Sequence, residues 1–135
     1  MEYSKNIYDE LLNCEVSNCL KSLKQKYSSI DWFVLTGGNE AEVKDIFHKK
    51  KIKYFNKDNI YGSPKSKYDN FKILTNNNLI KYPVIFFGDS EYDYKFSFDN
   101  YIDFIFVSGW TEFKNWNSFC KKNDIKSVKH ICELI

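Results

Sequence analysis

The sequence predicts an α/β protein: a parallel sheet with helices on both faces, a Rossmann-like three-layer sandwich. Two observations carry that class. Apolar runs at 32–36, 84–87 and 104–107 show no alternation of apolar and polar residues, which suits strands buried on both faces. Around them lie segments of about ten residues whose apolar positions fall three and four apart, the period of a helix. Strands and helices alternating in this way imply right-handed crossovers and a parallel sheet.

Val16, Cys19, Leu20, Leu23 and Tyr27 form the first helical face, ended by Ser28-Ser29. The run 32–36 follows as a strand and closes at Gly37-Gly38. Asn39 is the expected cap of the next helix, with Glu42 as its capping-box partner and Val43, Ile46 and Phe47 inward. Lys49-Lys50-Lys51 ends that helix, where positive charge suits the dipole. Ile60-Tyr61 before Gly62 makes a short strand, and Ser66 with Asp69 caps a helix that turns Tyr68, Phe71 and Leu74 inward. Pro83 introduces the strand 84–87, closed by Gly88-Asp89, and a short helix from about 92 to 100 leads to the strand 104–107. Thr111 is expected to cap a helix carrying Phe113, Trp116, Phe119 and Cys120. Ser127 is expected to cap a last one carrying Val128, Ile131 and Leu134.

At 135 residues the chain suits one domain with one core. Hydrophobic residues at 43% and aromatics at 19% supply that core and exclude a disordered chain. The 20 basic residues are all lysine and face 18 acidic ones, a net charge of +2. Balanced charge and the lack of a guanidinium fork argue against a nucleic-acid partner. No apolar run approaches the ~20 residues needed to cross a bilayer, so no membrane partner is expected. The start, Met1-Glu2-Tyr3-Ser4-Lys5, has no secretory apolar stretch, and the cytoplasm is the expected compartment. Cys14, Cys19, Cys120 and Cys132 lack zinc-knuckle spacing and are expected to be reduced, structural thiols.

Ligands of open parallel sheets gather outside the carboxyl ends of the strands. Three strand ends here turn polar. Thr36-Gly37-Gly38 offers a hydroxyl and backbone N–H groups at the positive end of the Asn39-capped helix, a competent phosphate cradle. Gly88-Asp89, with Asp93 four residues on, places two carboxylates across one helical turn, where they can share a hard cation. Lys67 opens a helix after a Gly-Ser-Pro turn, where a lysine opposes the dipole. Taken singly, each has a plainer reading as a strand-to-helix turn, a helix cap or a solvated charge. The three in order on successive strand ends carry the chemistry.

In that order Thr36, a lysine after the next short strand, and Gly88-Asp89-Ser90-Glu91-Tyr92-Asp93 resemble motifs two, three and four of the haloacid dehalogenase superfamily. The resemblance runs from about Val16 to Trp110, and the segments 62–67 and 104–110 look like its capped phosphatase branch. It implies a magnesium-dependent phosphohydrolase core acting on a small phosphorylated metabolite. Asp89 would bind Mg²⁺, and Asp93 would support the metal or the lysine. Thr36 and the Gly37 backbone would hold the phosphate. Lys67 would neutralise charge on phosphate and nucleophile, with Lys65 as the competing lysine. The family's first motif, a strand ending Asp-x-Asp that supplies nucleophile and general acid, does not occur before Thr36; the acidic residues there are Glu2, Asp9, Glu10, Glu15 and Asp31. Residues 3–15 look like the return of a cap. The chain is therefore expected to lack the first strand and most of the cap, and to hydrolyse no phosphomonoester by itself. The edges so exposed are expected to close up against each other, or to be covered by a homodimer or a complementing amino-terminal segment. The alternative is a catalytically dead Rossmann-like binding, regulatory or partner-interaction module.

Overall fold

Short apolar stretches closed by small or polar residues become parallel strands, and the amphipathic stretches between them become the connecting helices. The computed structural model describes residues 9, 12 and 18–135. The stretch 3–15, read as a cap return, and Val16 of the first helical face lie essentially outside the described residues. The chain divides into two compact units that meet in sequence at Asn77 and Asn78.

The first unit holds α1 (Asn18–Lys26), β1 (Val34–Asn39), α2 (Glu40–Lys49), β2 (Ile60–Ser63) and α3 (Lys67–Asn76). β1 and β2 pair in parallel through Val34–Ile60 and Leu35–Tyr61, and again through Asn39–Ser63. Between those pairs β1 spends three residues, Thr36, Gly37 and Gly38, where β2 spends only Gly62, so β1 bulges at its carboxyl end. Leu23, Ile46, Phe55, Ile60, Phe71 and Leu74 form the core of the unit. Trp32, Phe47 and Tyr54 surround the Phe55 ring, and the Lys24 ammonium lies 5.8 Å above it. Asn39 Oδ1 accepts the Glu42 N–H (3.0 Å), and Ser66 Oγ accepts the Asp69 N–H (3.0 Å), so both expected caps are in place.

The second unit is a βαβαβ chain: β3 (Ile85–Gly88), α4 (Glu91–Asp99), β4 (Asp103–Val107), α5 (Trp116–Lys122) and β5 (Lys126–Val128). Its three strands lie in the order β3-β4-β5, all parallel, with Phe86 beside Phe104 and Phe106 beside Ser127. Phe96 and Phe106 are fully buried, Phe96 edge-on to Phe86 and Phe106 stacked on Trp116. The α/β class with parallel strands therefore holds.

Three expectations change. Ser127 does not cap a helix: it lies in β5, where the backbone pairs with β4 and Val128 is buried, and only a 3₁₀ turn (Ile131–Leu134) follows. The 128, 131, 134 spacing fits a three-residue turn as well as a helix, so the pattern could not separate them. Thr111 is not a cap either, because α5 starts at Trp116 behind Asn115. The cysteines are not all reduced: Cys19 and Cys132 are disulfide-bonded, and Cys120 is the free, buried thiol among the described residues, its pKa pushed up by burial. Among the described residues no helix is long and apolar enough to cross a membrane.

Candidate functional site

Every residue singled out from the sequence lies at the carboxyl end of a parallel strand or in the helix turn that follows. In the first unit Thr36 begins the β1 bulge, and its Oγ1 accepts the Gly38 N–H at 3.0 Å. An oxygen used as acceptor in this way still has its hydroxyl hydrogen to donate, which is what an anion requires. Gly37 is exposed, and a β-carbon there would meet nothing within 4 Å. Ser66 caps α3, so Lys67 is its first residue, half-buried, while Lys65 is exposed.

The first unit also holds two residues that the sequence did not mark. Glu40, the first residue of α2, accepts the Gly62 N–H on Oε1 (3.1 Å) and the Lys44 ammonium on Oε2 (3.1 Å). Burial alone would raise its carboxyl pKa, but the Lys44 hydrogen bond, the Gly62 amide and the charges of Lys44 and Lys65 outweigh burial and hold it low. Asn70, 1% exposed, donates from Nδ2 to the Gly62 carbonyl (3.0 Å) and the Lys65 carbonyl (3.4 Å). Gly62 is thus held at both its N–H and its C=O. A β-carbon there would collide with the Gly38 carbonyl oxygen, so only glycine brings β2 so close to the β1 turn.

In the second unit Asp89 follows β3 directly and is exposed, whereas Asp93, in the first turn of α4, is 4% exposed. Asp93 Oδ2 accepts the Asp89 N–H (3.2 Å), and Ser90 Oγ accepts the Asp93 N–H (3.1 Å) as the cap of α4. The Ser97 hydroxyl donates to the Asp93 carbonyl at 2.9 Å. Gly88 is demanded by close approach, since its β-carbon would lie 2.6 Å from Asp93 Cβ and Oδ2. Thr111 donates its hydroxyl to the Asp89 carbonyl at 2.6 Å, a third contact that the sequence did not announce.

The structure therefore brings Asp89 and Asp93 together at one strand end, and sets Thr36, Gly37 and Lys67 on the two strand ends of the other unit. Among the described residues no group of three or more His, Cys, Asp or Glu side chains converges on a metal position. The donors at Asp89 and Asp93 are oxygens only, and one or two carboxylates completed by water and phosphate are what Mg²⁺ takes. They fit that ion in kind, with Asp89 exposed and Asp93 bonded to its backbone. No protein-family model, curated protein or solved structure matches this chain.

Proposed function

We propose that this chain is a haloacid dehalogenase-like module with a Rossmann-like three-layer core. In this reading it binds a small phosphorylated metabolite with Mg²⁺ and does not itself turn the metabolite over. The observation that carries the reading is the placement of the β1 bulge at Thr36, Lys67 after β2 and Asp89 after β3. Thr36 lies in the carboxyl half of a parallel strand, Lys67 and Asp89 come after one, and all three stand beside the start of a helix with a side-chain cap. The strands fall into two hydrogen-bonded sets, β1-β2 and β3-β4-β5. In the family the nucleophile strand belongs between the strand that here carries Thr36 and the one that precedes Asp89, and no Asp-x-Asp occurs in this chain.

The roles follow from charge. Thr36 Oγ1 and the Gly37 backbone would bind the phosphate oxygens, and Lys67 would compensate their charge. Glu40, at the same helix start, is already answered by Lys44 and the Gly62 amide, which limits its repulsion of an anion. Asp89 would hold Mg²⁺, with Asp93 bracing it; an ion of that kind supplies charge compensation in phosphoryl transfer. Positioning and electrostatics do most of the work in phosphoryl transfer, but the aspartyl-phosphate route still requires a carboxylate nucleophile.

Titration calorimetry with MgCl₂ and with orthophosphate tests this. We expect Mg²⁺ binding that Asp89→Asn abolishes, phosphate binding that Lys67→Ala weakens, and no p-nitrophenyl phosphate hydrolysis. Hydrolysis abolished by Asp89→Asn would show the inactivity to be wrong. A chain that binds neither ligand would move the assignment to a partner-interaction module. The cytoplasmic expectation rested partly on reduced thiols, and that support goes with the disulfide bonding of Cys19 and Cys132.

A further inference from the structure

We propose that Thr111 is a positioning residue for Asp89. It acts on the carboxylate through the backbone, a role independent of any helix cap and resting on the reading of Asp89 as the cation ligand. Both peptide groups that flank the Asp89 α-carbon are pinned by side chains. The N–H on one side donates to Asp93 Oδ2 (3.2 Å), and the carbonyl on the other accepts the Thr111 hydroxyl (2.6 Å). Two planar peptides held in this way fix φ and ψ at Asp89, and with them the direction of its Cα–Cβ bond. Only side-chain torsions are left to aim the carboxylate.

Thr111 is itself fixed. Its Oγ1 accepts the Phe113 N–H (3.1 Å), its own N–H donates to the Ser108 carbonyl (3.3 Å), and Ser108 and Gly109 donate to the carbonyls of Val128 and Lys129. The segment after β4 is therefore tied to the chain leaving β5, and Thr111 reaches the β3 turn from a braced position. A hydroxyl is needed to donate in one direction and accept in the other, which valine cannot do and serine can.

The test uses the full chain with Thr111→Val and Thr111→Ser, and two readouts. The first is the Ser90 amide in ¹H–¹⁵N spectra without ligand, since that nitrogen shares a peptide with the Asp89 carbonyl. The second is Mg²⁺ affinity measured with MgCl₂ alone. We expect valine to displace the Ser90 amide and weaken Mg²⁺ about tenfold or more, the range for a lost ligand support, and serine to restore both. A Ser90 amide unmoved by valine overturns the proposal, and so does a displaced amide with unchanged Mg²⁺ affinity, the signature of a merely structural bond. If the unsubstituted chain does not respond to Mg²⁺, the cation reading fails and the positioning role falls with it; the amide readout then reports only whether Thr111 holds the Asp89 carbonyl. Should the valine variant not fold, Thr111→Ala takes its place with the same outcomes.

Discussion

A β-carbon on Gly88 would sit 2.6 Å from the Asp93 carboxylate, whereas one on Gly37 would meet nothing within 4 Å. Neither glycine has a positive φ, so the two differ only in the space around them. Gly88→Ala must displace Asp93 from under the β3 end, and we expect a loss of about 1–3 kcal/mol, read as a lower Tm. Gly37→Ala should leave Tm unchanged or raise it. Equal effects at both positions would refute the close-approach argument. Glu40 gives a pH-dependent test. Its carboxyl is held below its ordinary value in the fold, so its contribution is present above the unfolded-state pKa of about 4.3 and is lost as pH falls through the folded value. The side chain is 35% exposed, and screening keeps that contribution under ~1 kcal/mol. Glu40→Gln should narrow the difference in Tm between neutral and acidic buffer; a difference that stays the same would show that the pairing contributes nothing.

The helices begin and end by different devices. Asn39, Ser66 and Ser90 cap α2, α3 and α4 with side-chain oxygens, and the first two were legible because that chemistry is written in the residue type. Lys49-Lys50-Lys51 marked the end of α2, but the left-handed turns that stop the helices were not legible. Lys51, Asn78, Tyr101 and Asp124 follow α2, α3, α4 and α5 in the left-handed region, at φ of 56°, 57°, 59° and 52°. Isoleucines at 52, 102 and 125 then close three of these turns by donating to the carbonyls of Phe47, Ser97 and Cys120. Glycine is the usual signal for such a stop, and none stands at any of the four positions. Tyr101 is 89% exposed and has little packing to lose. Tyr101→Gly relieves about 1–2 kcal/mol of left-handed strain against roughly 0.5–1 kcal/mol of added chain entropy. We expect a slightly higher Tm, and a lower one would count against strain at this cap.

Across the molecule, parallel pairing joins β1 to β2 and β3 to β4 to β5, in two sets. In each, the residues with candidate chemistry stand at carboxyl ends, while the aromatic residues concentrate in the cores around Phe55, Phe96 and Phe106. Covalent bracing adds to that packing. With Cys19 and Cys132 disulfide-bonded, reduction should cost about 2–4 kcal/mol by enlarging the unfolded ensemble. Melting with and without dithiothreitol measures this directly, and a Tm indifferent to reductant would contradict the bonding. Cys120, buried against solvent, should resist alkylation in the native chain and react once it is unfolded.

The sequence by itself determined the α/β class, the order of the elements as far as α5, and the strand ends that carry Thr36, Lys67 and Asp89. Those are local properties: uninterrupted apolar runs, helical periodicity, and polar residues placed just after the runs. Tertiary structure decided the rest. Thr111 reads as an ordinary cap and Asn70 carries no signal, and only approach in space makes them hold the Asp89 and Gly62 carbonyls. Ser127 reads as another cap until β4 supplies a backbone to pair with. Hydrogen bonds between residues 22 apart, such as Thr111 to Asp89, leave no periodicity behind, because their geometry is set by the fold that both ends have already joined.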